Sequence, residues 1–552
     1  MRLTRHSAAA VCVVASLVCA CTGHRGPPPS TDIEEAGFRD AIRILASDDF
    51  EGRKPGTAGE DKTVNYLVER FRKLGLKPGN GDTYLQQVPM VEILAGGDAS
   101  MSVSGHGAGR TLVYGKDMVI WTPRVTAESA VEHSDLVFVG YGIVAPEYAW
   151  NDYAQADVRG KTVVILVNDP GHGSKDPRVF KGDAQTGYGR AAYKLEEAAR
   201  QGAAGVLLIH DPGAAGQGWN VVVNERTGPQ LELATPDDNA GRAAIEGWVS
   251  ADAGRALFAQ AGIDFNAVAA AASRPGFKAV PMGLKVDAVV HDTIRRFSSP
   301  NVVAILPGAR HKSEYVIYAA HWDALGRQSA LAGGAVLNGA VDDAAGTAGL
   351  LMLAQSLVRT QPTADRSIVF IAFTGGEAGL LGSAYYVDHP IFPLRKTAGV
   401  LYLDAPHIGG PTRDVMVFGF GNSELEEYLR EAALLQGREM HPDPNPERGT
   451  YYQADEFSFA RSGVPALYFA AGIDDSARGP AWGQSRIDDY LANRHHQPAD
   501  KYSADWDVRG ALDDLRLYYE IGSRLARSRH YPRWYPDSEF REGPHRADGA
   551  AK

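Results

Sequence analysis

From about residue 299 onward, uninterrupted apolar runs alternate with helix-like stretches. NVVAILPG, EYVIYAAHWD, SIVFIAFTGGE and GVLYLDAP are separated by a Leu-rich segment around GLLMLAQSLV and by a second helical stretch. A strand that is apolar at every position is buried on both faces, which happens when helices cover both sides of a mostly parallel sheet. The pattern predicts an α/β fold with a doubly wound sheet. Before it, apolar residues at helical spacing start near Ile33 and resume after the Gly/Pro-rich EGRKPGTAGE with a capping box, Thr57 to Glu60, and the face Val64, Leu67, Val68, Phe71, Leu74. Trp506, Leu512, Leu515, Ile521 and Leu525 mark a closing amphipathic helix.

The middle of the chain has a different texture. Short strands such as DLVFVGYGI and KTVVILVND, with Gly, Pro and Asp between them, are followed by the amphipathic YGRAAYKLEEAARQG and the strand GVLLIHD. This section reads as a smaller, β-rich α+β unit inserted into the larger one. At 552 residues the chain exceeds what one core usually serves. The expected division is 33–110 with 290–540 for the main domain, 111–289 for the insert and 541–552 for a tail.

A net charge of −11 argues against a nucleic-acid backbone as partner, because the overall negative field repels its phosphates. No internal stretch approaches the roughly 18 apolar residues a transmembrane helix needs. The first 20 residues, with Arg2 and Arg5 ahead of the apolar run Ala8 to Ala20, read as an export signal. All three cysteines lie in or beside it, and VCAC at 18–21 resembles a bacterial lipobox, in which Cys21 is lipidated and becomes the first residue; an ordinary cleaved signal is the alternative. Either way no disulfide framework is available. TGHRGPPPSTD then serves as a flexible tether over 21–32. The expected location is the periplasmic face of a bacterial membrane, the outer one, with the membrane touched only through the lipid at Cys21; otherwise the protein is periplasmic or secreted.

The chemistry sits where the strands stop. His321 and Asp323 close AAHWD, Glu377 follows FTGG, and Asp404 closes LYLD; Asp342 and Asp343 stand at the start of a helix in NGAVDDAAG, and the pair His495-His496 lies in RHHQPAD. Ligands of open α/β sheets bind beyond the carboxyl ends of the strands, so these groups converge although they are far apart in sequence. Several buried carboxylates are held together most readily by a divalent cation. Imidazole with carboxylate and no thiolate suits Zn²⁺, with Co²⁺ or Mn²⁺ as alternatives.

AAHWD, VDDAAG, GGEAGLLGS, LYLDA and HHQPAD together resemble, in order and spacing, the two-zinc bacterial aminopeptidases of the leucyl aminopeptidase type. The resemblance implies removal of N-terminal residues from peptides by a site holding two zinc ions. It implies Asp342 as the carboxylate shared by both, His321 and Asp404 completing one site, and Glu377 and His496 the other. Asp323 would hold the His321 imidazole in its ligating tautomer. His496 is preferred to His495 because it stands directly before the x-Pro-x-Asp run. The section containing AARQGAAGVLLIHD resembles the protease-associated domain that many members carry as an insert.

Two departures bear on activity. Members carry Glu-Glu where this chain has Gly376-Glu377, so the position of the general base holds a glycine. A positioned base contributes about 10²-fold to 10⁴-fold in rate, so peptidase activity is expected to be weakened. Where members show Ser-Asp-His, this chain has Ala454-Asp455-Glu456, and Glu456 is expected either to take over as base or to be a solvated loop residue. The alternatives to an aminopeptidase are an impaired homologue that binds peptides without cleaving them, and a glutaminyl cyclase-like enzyme working with one zinc. No nucleophile elbow surrounds Ser383, which excludes a serine hydrolase.

Overall fold

The computed structural model describes residues 33–174, 176–327, 334–360 and 364–541. The expected leader, the lipidation site Cys21, the tether and the tail from residue 542 lie outside the described residues. Among the described residues, no helix is long and apolar enough to cross a membrane.

The main sheet is parallel at its centre. Strand His311–His321 lies between Arg366–Phe373 and Thr397–Tyr402, parallel to both, and Ala466–Ala471 continues the parallel set. The flanks are antiparallel: Val280–Leu306 and Leu85–Ala95 on one side, Asp414–Phe418 with its partner Glu439–Pro442 on the other. The continuous apolar runs follow from burial of alternate residues on opposite faces. Val316, Tyr318 and Ala320 join one core together with Phe38, Ile42 and the helices Gly346–Thr360 and Arg509–Arg527. Tyr315, Ile317 and Ala319 join another with Tyr386, Phe457 and Phe459.

The expected capping box between Thr57 and Glu60 does not form: neither side chain caps the other's backbone N–H. Glu60 accepts the Gly56 N–H at 2.7 Å and the Ser299 hydroxyl at 2.6 Å, while the Thr57 hydroxyl donates to Lys54 O at 2.7 Å. The glutamate thus ties the helix Ala58–Lys73 to the sheet beneath it.

A second sheet has its own core. Its middle strands, Glu128–Phe138, Thr162–Leu166, Gly205–Ile209 and Ile245–Val249, are parallel. The 27-residue strand Val280–Leu306 belongs to both sheets: its first part pairs with Ser100–Gly105 and Glu128–Phe138, its second with Leu85–Ala95 and Arg366–Phe373. The boundary expected after residue 110 falls earlier. Ser100–Gly105 and Ala108–Leu112 pair with each other, the former also pairs with Val280–Leu306, and Met101, Val103 and Leu112 are buried in the second core. Nothing in the apolar spacing of these strands distinguishes one sheet from the other; their partners decide it. A short return crossing is the other departure: Gln230–Leu233, from the inserted stretch, pairs antiparallel with Met90 to Ile93 of the main sheet.

Candidate metal centre

Register aligns three strand ends. His321 pairs with Phe373, four residues before Glu377, and Ala319 pairs with Tyr402, two residues before Asp404. The ladder continues past the strands through Trp322 N to Phe373 O at 2.9 Å and Leu403 N to Ala319 O at 2.8 Å, which keeps the three side chains at one height on the sheet rim.

The carboxylate Asp342 is the meeting point. His321 Nε2 is 3.2 Å from Asp342 Oδ1 and 3.8 Å from Asp404 Oδ1. His496 Nε2 is 3.4 Å from Asp342 Oδ2 and 2.9 Å from Glu377 Oε2. His495 Nε2 also reaches Asp342 Oδ2 at 3.4 Å, with its ring stacked on His496 at 3.8 Å between centroids. All five residues expected as ligands therefore meet, and His495 joins them; of the two adjacent imidazoles, His496 also contacts Glu377. Zinc–ligand bonds of about 2.1 Å in a tetrahedron put ligand atoms about 3.4 Å apart, so these separations suit donors around shared ions. The groups His321–Asp342–Asp404 and Asp342–His495–His496 each have the spacing to hold a cation, with Asp342 common to both.

Electrostatics agree with that fit. Burial pushes Asp404 up to about 7, with the neighbouring Asp342 charge adding to it, and burial also raises Glu377. Asp342 is held well below the ordinary carboxylate range: burial opposes this, and the bonds from His321, His495 and His496 outweigh it. Both His321 and His496 are raised well above the usual imidazole value against the effect of burial, His321 by its bonds to Asp323 and Asp342, His496 by Glu377. The buried Oδ1 of Asp404 has no hydrogen-bond donor, as suits an oxygen meant for an ion.

The loop that presents Asp342 is held from three sides. Asp500, the acid of the HHQPAD motif, accepts Val341 N at 3.0 Å and Asp342 N at 3.2 Å. The fully buried Asp343 accepts Gly346 N at 2.7 Å at the head of the following helix. The buried guanidinium of Arg53 donates to Trp322 O, Leu45 O, Asn338 O and Gly339 O at 2.7–2.9 Å, bracing both the His321 strand end and the approach to Asp342. The peptide bond between Asp342 and Asp343 is cis.

Asp323 Oδ1 accepts Gly376 N at 2.9 Å and lies 3.4 Å from His321 Nδ1. Gly376 has no room for a side chain, since a Cβ there would lie 2.7 Å from His321 Cγ. Glu456 fits neither expectation. It is fully buried at the first turn of the helix Glu456–Arg461, outside the lining of the cleft, and burial, followed by the charges of Asp404 and Asp455, raises its carboxyl well above the ordinary range. A carboxyl enclosed in this way, outside the cleft lining, is not placed to receive a proton in the cleft.

Several neighbours carried no signal in the sequence. The Tyr402 hydroxyl lies 3.2 Å from Asp455 Oδ2 and 3.4 Å from Asp404 Oδ2. Glu225, far away in the inserted stretch, places Oε1 2.6 Å from His496 Nδ1; burial raises its carboxyl, and the bond to His496 more than reverses this. An isolated glutamate on a short polar helix is invisible to motif or periodicity. The site opens on a cleft of about 480 Å³ between the two sheets. Glu225, Asp342, Glu377 and Asp404 line it together with Arg190, Arg226, Arg448, Arg486 and Arg494; His407 and Tyr452 also face it. Trp322, by contrast, is buried and donates to Pro300 O at 3.0 Å, a packing role.

Residues 301–519 match the model of peptidase family M28. That stretch holds all six donors. Among solved structures, an aminopeptidase from Aneurinibacillus sp. strain AM-1 shares the fold with a TM-score of 0.52 at 19% identity, covering 90% of this chain and 94% of its own. Among curated proteins, mouse (Mus musculus) aminopeptidase NAALADL1 is 32% identical over 129 residues, 22% of this chain and 16% of the mouse protein. A glutamate carboxypeptidase 2 homolog of Caenorhabditis elegans is 29% identical over 209 residues, 37% of this chain and 25% of the worm protein. The match thus spans a quarter or less of either relative's length. The M28 match covers the stretch that carries the site, and the solved aminopeptidase shows the fold.

Proposed function

We propose that this chain is a metal-dependent exopeptidase, an aminopeptidase, whose centre takes two zinc ions that share Asp342. The observation that carries this reading is the pair of donor groups, His321–Asp342–Asp404 and Asp342–His495–His496, the second with Glu377 Oε2 2.9 Å from His496 Nε2, meeting at one carboxylate on the wall of a peptide-sized cleft. His321, Asp404 and Asp342 would hold one ion; His496, Glu377 and Asp342 the other. When bound, zinc supplies Lewis acidity toward a scissile carbonyl and eases loss of a proton from water near neutral pH. The chain's own residues do the rest. Carboxylates at the metal end attract a free α-amino group, and arginines elsewhere on the lining attract carboxylates of the peptide. Asp323 and Asp500 keep the donors in place, and the enclosing sheets limit access of bulk water.

The glycine at 376 leaves the usual base position without a carboxylate, and Glu456 does not replace it, so turnover is expected to be slow. That supports one second reading, a homologue that binds peptides at an intact metal centre without cleaving them. A glutaminyl cyclase-like enzyme is favoured less, because donors for both ions are present. The leader and Cys21 support placement outside the cytoplasm on a lipid anchor, and AARQGAAGVLLIHD supports a protease-associated identity for the insert.

The deciding experiment measures release from chromogenic aminoacyl substrates, with and without chelator, beside metal content. Chelator-sensitive release at two zinc ions per chain is the expected result. Two bound ions with no release from any aminoacyl or peptide substrate would give the binding reading instead.

A further inference from the structure

We propose that the inserted unit is part of the metal centre, with Glu225 as the positioning residue for His496. This rests on the reading of the site as a metal centre. An imidazole that binds a cation through one nitrogen must place the proton of the other, and the partner of that proton fixes ring orientation and tautomer. For His496 the cation-facing atom is Nε2, directed at Asp342 and Glu377, and Nδ1 is 2.6 Å from Glu225 Oε1. The same stretch also bonds the His496 backbone, Asn224 Nδ2 to His496 O at 3.4 Å.

His496 needs such a partner. Its φ of 55° is in the left-handed region that non-glycine residues seldom occupy, so surrounding contacts must hold it there. Its nearest ring neighbour, His495, stacks on it face to face, a contact that does not decide which nitrogen carries the proton.

Glu225 is also anchored for the task. It sits on the helix Trp219–Arg226, and within a few residues the chain enters Gln230–Leu233, hydrogen-bonded to Met90 to Ile93 of the main sheet. Lys54 Nζ donates to Pro229 O at 3.2 Å in the connection between them. The segment bearing Glu225 is thus joined to the main sheet through Gln230–Leu233, while its helix packs on the insert's own core through Val222 and Trp219. The Glu225–His496 bond therefore bridges the insert and the metal centre at this wall of the site.

The test uses the full chain, stripped with chelator and titrated with Co²⁺ while its visible absorption is recorded, and with Zn²⁺ against a chromophoric chelator. Two ions are expected to bind the parent. Glu225→Gln should weaken one of them by about 10-fold to 100-fold and shift its absorption band, leaving the other unchanged. Glu225→Asp should recover part of the loss, and His496→Ala should remove the same ion. A Glu225→Gln protein that folds and titrates like the parent, with the same spectrum, overturns the inference. Failure of the underlying reading looks different: the parent itself would bind neither metal.

Discussion

Gly376 and His321 compete for one volume: a Cβ on Gly376 would lie 2.7 Å from His321 Cγ and 2.8 Å from its Cβ, positions the ring cannot vacate by turning its far end. At the same time Gly376 N–H is bonded to Asp323, the residue beside His321 Nδ1. The absence of a side chain at 376 and the placement of the imidazole are one feature of the structure.

Position 376 should therefore not accept the missing carboxylate. From the sequence, Gly376→Glu is expected to restore a base and raise turnover at least about tenfold, a threshold set below the roughly 10²-fold that a well-placed base contributes. With the His321 ring in the way, we expect Gly376→Glu to leave turnover at or below the parent's. Gly376→Ala should lower zinc affinity at least about tenfold by displacing a ligand. Zinc competition and single-substrate kinetics on the two variants check this; a rate gain in the glutamate variant would show that the ring yields.

Sharing of Asp342 predicts an asymmetry among ligand substitutions. Asp342→Asn should reduce zinc after dialysis to well below one ion per chain, since both groups lose their common donor. Asp404→Asn should retain close to one. Metal analysis by mass spectrometry separates these outcomes, and equal losses in the two variants would mean that Asp342 serves one ion only.

Arg53 should be among the most costly residues to change outside the metal centre. Its guanidinium supplies four carbonyls on segments 45, 322 and 338–339. Removing it leaves several buried acceptors unpaired, at about 1–3 kcal/mol each. Arg53→Met should destabilise by at least about 3 kcal/mol, and Arg53→Lys should recover little, because one ammonium cannot span the fork. Urea denaturation of the metal-free protein measures both.

A pH dependence follows from Asp152 in the second core. Its two oxygens accept Ile143 N at 3.0 Å and Trp150 Nε1 at 2.8 Å, and burial raises its carboxyl to about 6. Between the usual carboxylate value near 4 and about 6, the folded chain keeps a proton that the unfolded chain has lost, so this group's contribution to stability declines as pH rises through that window and is flat above it. Asp152→Asn should lower stability by about 1–3 kcal/mol, because an amide offers one acceptor to two donors. The stability difference between parent and variant should also shrink as pH rises from 4 to 6. Thermal unfolding of both proteins from pH 4 to 8 checks the sign.

The strand ends His321, Glu377 and Asp404 could be read because a buried strand leaves a simple mark, an apolar run, and a charged residue just past it stands out. Asp342 and His496 stood out only through the resemblance of VDDAAG and HHQPAD to a known family, since nothing local separates His496 from His495 or Asp342 from Asp343. Glu456 was misplaced because a glutamate at a helix start is usually solvated, and only packing around Phe457 and Tyr451 encloses this one. The edge between the two sheets was misplaced for a related reason: the alternation in Ser100–Gly105 and Ala108–Leu112 shows that these strands have a buried side, and not which sheet lies on it.

By itself the sequence determined the kinds of element, the doubly buried sheet and the donor types that gather at its rim, since hydrophobic periodicity and side-chain chemistry are properties of neighbouring residues. Tertiary structure alone decided that Glu225 reaches His496 across 271 positions, that His495 and His496 meet the same carboxylate, and that the His321 ring fills the space beside Gly376. Those are distances between segments brought together by the sheet register and by a strand crossing from one sheet to the other, and no local pattern encodes them.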